Sequence, residues 1–249
     1  VEENHMYIRI ASNDFFAVSQ EVVSKMIAGE YDAAHAYRAF NDLLIEKEPA
    51  PDETVLTVQK GYSSIFHKNG GNASYSAMAN TMRGIYGTDV LIAAANSFTG
   101  SVRQAEYTKR EAAAMVMPNG LRSYRCEMTG AELKETVKAF VEGYEGGLPV
   151  FNRGSLPVVS GIAIEVQENG GSYTLTGVTR NGQPVQDDDT FTVCCLSTPK
   201  YMEPLLADGG SAFEEEENTV RNAWLDYVSA GSALLAEPES YIVLRDENG

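Results

Sequence analysis

The amino-acid sequence predicts an α+β fold in which a mixed β-sheet is covered by helices. The run DVLIAAA at residues 89–95 is almost continuously apolar and is bounded by turn signals, which is typical of a strand buried on both faces. Helical and strand-like segments intermix along the chain, and the last third is the richest in strands. Because both long and short connections separate the strands, we expect a mixed sheet.

The first quarter of the chain is predicted to be mainly helical. The first helix ends at Gly29, and the second is broken by PAPDE at residues 49–53. The predicted elements, in order, are a strand at 6–11, helices at 15–30 and 32–48, a strand at 54–59 and a loop at 68–74.

Two capping boxes mark helix starts in the middle of the chain. TKRE at 108–111 and TGAE at 129–132 both match Thr-x-x-Glu, in which two side chains satisfy backbone N–H groups of the first turn. The predicted elements here are a helix at 74–87, the strand at 89–95, a short helix from the first box to Met115, a strand at 121–128 and a helix at 131–143.

The last third contains strand patterns joined by turn signals. RNGQPV at 180–185 carries an Asn-Gly pair that is typical of a tight hairpin turn. EEEE at 214–217 is interpreted as the solvated start of a helix, where negative charge suits the helix dipole. The predicted elements are strands at 156–166, 172–179 and 189–196, a helix at 214–235 and a strand at 241–245.

The charge of the chain excludes some partners. Its 19 Lys and Arg residues face 35 Asp and Glu residues, which gives a net charge of −16. Such a surface repels nucleic acid and anionic membranes, and an anionic ligand would need a local cationic pocket. No apolar run approaches the ~20 residues of a membrane span. No signal peptide is visible, and because the first Met is Met6 we expect Val1 to result from processing or excision.

Residues that carry common catalytic chemistry are sparse. The three histidines, His5, His35 and His67, are too scattered for a metal centre. Ser160 precedes Gly161 without a G-x-S-x-G motif, so we interpret it as a strand bend and disfavour a hydrolase with its own Ser or Asp nucleophile. The cysteines form no CxxC pair and are predicted to be buried free thiols: Cys126, Cys194 and Cys195.

The stretch LIAAANSFTGSVRQ, residues 91–104, suggests a ligand site. A buried strand runs into a turn of small residues that is followed by Arg103. Open sheets tend to bind ligands at the carboxyl ends of their strands. The residues alone leave two interpretations open, namely a binding loop and an ordinary connector with a surface arginine.

From Ser74 onward, the order of motifs resembles the C-terminal domain of the 5′-nucleotidase, UDP-sugar hydrolase and cyclic phosphodiesterase family. GSVR at 100–103 resembles the family's Gly-Gly-x-Arg loop. The other matching segments are SYSAMANTMRGIYGTDVLIAAAN (74–96), YTKREAAAMVMPNG (107–120), CEMTGAELKETV (126–137), VVSGIAIEV (158–166), NGQPVQDDDTFTV (181–193) and PESYIVLRD (238–246).

The resemblance implies the substrate-binding half of a two-domain enzyme. The other half in this family is a metallophosphatase domain that holds two divalent metal ions, and nothing in this sequence resembles its metal-binding motifs. We therefore expect no cofactor in this chain, no hydrolysis by the chain alone, and a parent protein exported to the periplasm, cell surface or medium. Residues 1–73 are predicted to be a helical leader and residues 74–249 the substrate-binding domain.

The resemblance also implies the site residues. Arg103 occupies the position of the loop arginine that contacts substrate, and Gly100 would let the backbone approach the ligand. Asn96 is offset by two residues from the family's loop Asn. Asn119 and Thr198 stand where the family has its two base-stacking Phe residues, and the family's turn Asn falls on Leu121. Tyr201 and Phe213 are the candidates to rebuild the aromatic clamp.

Two functions follow from these positions. The first is a nucleotide- or nucleoside-recognition domain of a 5′-nucleotidase-like phosphoesterase. The alternative is a non-catalytic binding or surface-interaction module that kept the fold and lost the clamp. Loss of both rings would weaken purine binding by about two orders of magnitude, since each stacked base contributes roughly 1–3 kcal/mol.

Overall fold

The computed structural model describes residues 22–30, 52–94, 97–99, 101–116, 121–142, 156–170, 172–197, 213–234 and 241–246. The strand predicted at 6–11 and the helix predicted at 32–48 lie outside these residues. Residues 22–27 are helical, and Gly29 follows with a φ of 76°, in agreement with the predicted helix end. None of the described helices is long and apolar enough to cross a membrane.

The remaining described chain forms helices and strands that alternate. The helices are α1 (Ala73–Tyr86), α2 (Lys109–Ala114), α3 (Gly130–Glu142) and α4 (Val220–Ser229). The strands are β1 (Thr54–Val58), β2 (Phe66–His67), β3 (Gly71–Asn72), β4 (Val90–Ala93), β5 (Ala105–Thr108), β6 (Arg122–Thr129), β7 (Val158–Ser160), β8 (Ala163–Asn169), β9 (Ser172–Arg180), β10 (Gln183–Pro184), β11 (Thr190–Ser197), β12 (Glu214–Glu215) and β13 (Ile242–Asp246).

The strands form two larger sheets, and both are mixed. The five-stranded sheet has the order β12-β6-β11-β4-β7, and the four-stranded sheet has the order β10-β9-β8-β13. Within them β4 runs parallel to β11 and β13 runs parallel to β8, whereas the other pairs are antiparallel. The α+β fold with a mixed sheet is therefore confirmed, with helices packed on the sheets.

The apolar run of β4 lies at the centre of the core. All four of its residues are 0% exposed, as expected for a strand covered on both faces. Its register with β11 runs from Val90 opposite Val193 to Ala93 opposite Leu196. The two parallel strands therefore end together at one border of the five-stranded sheet, which we call the carboxyl edge.

Asp89 fixes the opposite ends of the same two strands. Its carboxylate accepts hydrogen bonds from the Thr192 backbone N–H at 3.0 Å and the Thr192 hydroxyl at 2.9 Å. Arg180 of β9 donates to the same carboxylate at 2.9 Å and so joins the four-stranded sheet to this point. The Thr192 backbone N–H, with the Thr192 hydroxyl and Arg180, holds the pKa of Asp89 below its ordinary value.

Local sequence signals define the predicted helix starts and the hairpin. The Thr108–Glu111 capping box forms at α2, and Thr129 and Glu132 exchange the same reciprocal hydrogen bonds at α3. Helix α1 begins at the N-cap Asn72 and ends at Gly87, which is left-handed. Asn181 and Gly182 have φ angles of 52° and 75°, as the predicted Asn-Gly turn requires.

Two predicted elements are wrong in their extent. The strand predicted at 156–166 is divided at Gly161, whose φ of 84° interrupts the extended backbone, and β7 and β8 belong to different sheets. The EEEE segment does not start a helix: Glu214 and Glu215 form β12 against β6, and α4 begins after the N-cap Thr219. Arg122 of β6 forms an ion pair with Glu215 of β12 at 3.6 Å, and this contact favours the pairing of the two strands.

The three cysteines confirm their predicted state. All are buried and free, and burial raises the pKa of Cys126 to about 12 and raises that of Cys195 strongly.

The division of the chain after residue 73 stays a prediction. Leu56 and Val58 of β1 lie in the same apolar cluster as β4, so this part of the predicted leader packs with the core.

We expect Gly161→Ala to destabilise the fold by roughly 3 kcal/mol, because it combines a left-handed backbone with a steric clash. A Cβ at this position would lie 2.0 Å from the Asp89 carbonyl oxygen. The control is Gly170→Ala in the β8–β9 turn, which has a φ of 58° but, apart from its own chain neighbours, no atom within 4 Å of the added Cβ. The control should cost about 1 kcal/mol in urea unfolding. Equal losses for the two variants would contradict this account of Gly161.

Candidate ligand-binding site

The carboxyl edge is where the chain leaves the parallel strands β4 and β11. Residues 97–99 and 101–103 follow β4, and Ser197 is the last residue of β11. Ser97 is 0% exposed and Ser197 is 2% exposed. Neither hydroxyl has a hydrogen-bond partner within the described ranges. Two buried polar side chains, Ser97 and Ser197, therefore lie at the carboxyl edge.

Residues 97–99 are held against the end of α2. Phe98 forms an antiparallel bridge with Val116, and the Thr99 N–H donates to the Met115 carbonyl at 3.0 Å. The Thr99 hydroxyl donates to the Ala114 carbonyl. Carbonyls at the end of a helix lack intrahelical partners, so Thr99 satisfies two of them and fixes the path of the segment.

The backbone around Arg103 is fixed by contacts with three other segments of the chain. The Arg103 N–H donates to the Tyr107 hydroxyl at 2.7 Å, and that hydroxyl donates to the Arg103 carbonyl at 3.1 Å. One residue earlier, the Val102 N–H donates to Ser74 Oγ at 3.1 Å, and the Val102 carbonyl accepts from the Tyr62 N–H at 2.7 Å. The loop thus contacts β5, α1 and the segment after β1.

The Arg103 side chain is exposed, although its backbone is fixed. Its Nε donates to Ser101 Oγ at 3.0 Å. In the part of the chain that the structure describes, no carboxylate forms an ion pair with Arg103. A guanidinium on a fixed loop with its terminal nitrogens available is suited to bidentate contact with a phosphate or carboxylate.

The other predicted site residues are only partly described. Asn96, Gly100, Asn119, Thr198 and Tyr201 lie outside the described residues. Phe213 is half-buried, packs against the apolar core and precedes β12. Among the described residues, no hydrogen bond, ion pair or ring contact joins Phe213 to Arg103. The proposed aromatic clamp stays a prediction.

Sequence reasoning missed the residues that hold the Arg103 loop. Tyr107, Ser74 and Tyr62 make their contacts through hydroxyl or backbone groups across 4, 28 and 40 positions of sequence respectively. The available signal was Tyr107, an aromatic residue with a polar end in a short strand directly after the loop. Nothing in the sequence around Tyr62 or Ser74 indicates a partner in this loop.

Ser160 has a structural role, as predicted. It is 2% exposed, accepts a hydrogen bond from Arg83 Nε at 2.9 Å and donates to Asn80 Oδ1. No histidine is among these partners. His67 lies exposed in β2, and the described residues contain no group of three or more His, Cys, Asp or Glu side chains that would hold a metal ion.

A concave surface lies between α3 and β9. It encloses about 550 Å³ and is lined by Lys134, Lys138, Glu135 and Glu165 together with apolar residues of β9. Lys134 also pairs with Asp187 at 2.7 Å. Because the lysines are balanced by carboxylates, this groove has no charge that would favour an anion, and Arg103 is not among its lining residues.

The family of this chain is decided by a sequence match that covers most of the described core. Residues 57–202, more than half of the chain, match the family described as 5′-nucleotidase, C-terminal domain. The chain belongs to this family. The resemblance seen in the motifs is therefore confirmed, and the match includes the loop that carries Arg103. No curated protein sequence matches the chain.

Solved structures with the same fold include three nucleotidases. The 5′-nucleotidase precursor of Thermus thermophilus has a TM-score of 0.58 and 13% identity, with 86% of this chain and 43% of that chain covered. The NAD nucleotidase of Haemophilus influenzae has a TM-score of 0.58 and 15% identity, with 99% of this chain and 47% of that chain covered. The putative 5′-nucleotidase of Staphylococcus aureus has a TM-score of 0.57 and 15% identity, with 87% of this chain and 44% of that chain covered. This chain spans less than half the length of each.

Replacing Tyr107 with Phe is expected to loosen the Arg103 loop. The change removes both hydrogen bonds to the Arg103 backbone, and amide exchange at Arg103 should accelerate roughly fivefold, since one hydrogen bond contributes about 1 kcal/mol. Hydrogen exchange measured by NMR tests this. Tyr173→Phe in β9 is the control and should leave the exchange rate at Arg103 unchanged. Unchanged exchange in the Tyr107 variant would show that the hydroxyl does not fix the loop.

Proposed function

We propose that this chain is the substrate-recognition domain of a 5′-nucleotidase-like phosphoesterase and that it binds a nucleotide or nucleoside at the carboxyl edge. The observation that carries the proposal is the Arg103 loop, which lies within the family match and presents an exposed guanidinium on a fixed backbone. Membership of the 5′-nucleotidase C-terminal domain family supports a small-molecule ligand.

Electrostatics explain why a single arginine is important here. The chain carries −16 at neutral pH, so the average field repels an anionic ligand. The Debye length is about 8 Å at physiological ionic strength, so a contact at the guanidinium is little affected by distant carboxylates. Charge-assisted hydrogen bonds from Arg103 then provide the local attraction.

Hydrolysis would require chemistry that the described residues do not assemble. Metal ions polarise the phosphoryl oxygen and activate water in metal-dependent phosphoester hydrolysis. We propose that in the parent enzyme two divalent ions are bound by a separate metallophosphatase domain, as the resemblance implies. In this arrangement Arg103 holds the substrate, and the other domain supplies the ions.

A second function is favoured by the substitutions in the aromatic clamp. Asn119 and Thr198 stand where the resembled family has Phe, and neither Asn nor Thr has an aromatic ring to stack on a base. A non-catalytic binding or surface-interaction module would tolerate these substitutions. Export of the parent protein stays a prediction under both functions.

Calorimetric titration with adenosine, AMP and UDP-glucose distinguishes the two functions. For a recognition domain, Arg103→Ala should weaken the binding of AMP by about tenfold to a hundredfold, because a hydrogen bond to a charged group contributes roughly 1.5–3 kcal/mol. The control is Arg245→Ala, which removes the same charge from an exposed residue of β13 that pairs with Glu165. Millimolar or weaker binding to all three ligands, unaffected by Arg103→Ala, would favour the module.

The isolated chain is expected not to hydrolyse AMP or UDP-glucose, because the proposed catalytic ions belong to another domain. Phosphate and sugar phosphate release should stay at the buffer rate with added Mg²⁺, Mn²⁺ or Zn²⁺. A metal-dependent 5′-nucleotidase serves as the positive control for the assay. Turnover by the purified chain at about 1 s⁻¹ or faster, a rate typical of enzymes, would refute this part of the proposal.

A further inference from the structure

Two residues at the start of α4 form hydrogen bonds with the residues on either side of residues 117–120. The Val220 N–H donates to the Leu121 carbonyl at 3.1 Å. The next residue, Arg221, donates to the Val116 carbonyl through Nε at 3.3 Å and through Nη2 at 2.9 Å. Two consecutive residues of one helix therefore fix the chain immediately before and immediately after this short segment, which includes the predicted ligand contact Asn119.

Arg221 is buried although it is charged. Only 5% of the residue is exposed. Taking a guanidinium out of water is costly unless it is well hydrogen-bonded. The Val116 carbonyl follows the end of α2, where unsatisfied carbonyls carry the negative end of the helix dipole. Arg221 thus places a cation where the helix end favours one.

The same helix end holds the chain that leads into the Arg103 loop. Thr99 donates to the carbonyls of Ala114 and Met115, and Phe98 bridges Val116. Trp224, one turn after Arg221, donates its indole N–H to the Ala112 carbonyl at 2.8 Å. The end of α2 is therefore held by α4 on one side and holds residues 98–99 on the other.

We propose that Arg221 is a positioning residue for ligand binding. It fixes Val116, and Val116 and its neighbours fix residues 98–99, which lead into the loop that carries Arg103. Arg221 acts on the ligand through these backbone contacts and does not itself touch the ligand. The inference rests on the proposed function, because it assigns Arg221 to the same site.

A purely structural arginine would contribute to stability without any specific effect on binding. Arg83 provides the control, since it is a partly buried arginine, less buried than Arg221, that donates from Nε to Ser160 Oγ at 2.9 Å and from Nη1 to the Asp89 carbonyl at 3.5 Å. Its contacts lie at the end of β4 opposite the carboxyl edge. Loss of Arg83 should therefore destabilise the fold without disturbing the Arg103 loop.

The test compares Arg221→Met, Arg221→Lys and Arg83→Met in the full 249-residue chain. Unfolding free energy, amide exchange and the Kd for AMP are measured for each. We expect Arg221→Met to raise the Kd roughly tenfold and to accelerate exchange at residues 98–103 and 116–121, with β8 and β9 unchanged. Arg221→Lys keeps the charge with fewer donors and should show an intermediate effect. Arg83→Met should leave the Kd within about twofold of the wild type.

The outcomes separate this inference from the proposed function. If wild-type protein does not bind AMP, the proposed function fails for this ligand, and the exchange data alone decide the role of Arg221. Unchanged exchange at 98–103 and 116–121, or a Kd affected equally by Arg221→Met and Arg83→Met, overturns the inference. If Arg221→Met does not fold, Arg221→Lys is judged by the same two criteria.

Discussion

The parallel ladder between β4 and β11 brings Ala93 and Ser197 to the same border of the five-stranded sheet. Asp89 fixes the opposite ends of these strands, because its carboxylate binds the backbone and side chain of Thr192. A slip of one residue would turn the side chains of the slipped strand to the opposite faces of the sheet and break this contact. The position of the carboxyl edge, and with it the Arg103 loop, depends on this one register.

Much of the fold could be predicted from local sequence. The apolar run of β4, two capping boxes and the Asn-Gly turn each depend on residues within a few positions of one another, so their signals are visible in the sequence. β12 was missed because its partner is β6, and a run of four glutamates shows no preference for an edge strand. The bend at Ser160 was anticipated, but the division into strands of two different sheets was not, because the left-handed backbone of Gly161 and its approach to the Asp89 carbonyl leave no sequence signal.

From the sequence, Arg103 and five further residues were predicted for the site, and their part in ligand binding stays a prediction. Arg103 was identified because the motif around it resembles a family loop and because cations are scarce in this chain. Tyr107 and Arg221 were missed for a common reason, namely that each contacts backbone groups, which every residue carries, so the partner cannot be read from residue types. Arg221 and Val116 are 105 positions apart, and no local rule connects them. The two arginines differ in role, since Arg103 is exposed to solvent, whereas Arg221 is buried and donates to the Val116 carbonyl.

The buried cysteines make site-directed labelling of this protein straightforward. Cys126, Cys194 and Cys195 are its only cysteines, all three are buried, and burial raises the pKa of each thiol. Maleimides react with thiolates, so the native chain should be nearly inert to them while folded. A single cysteine placed at exposed Ser172 would then carry a fluorophore or spin label without prior removal of the native thiols.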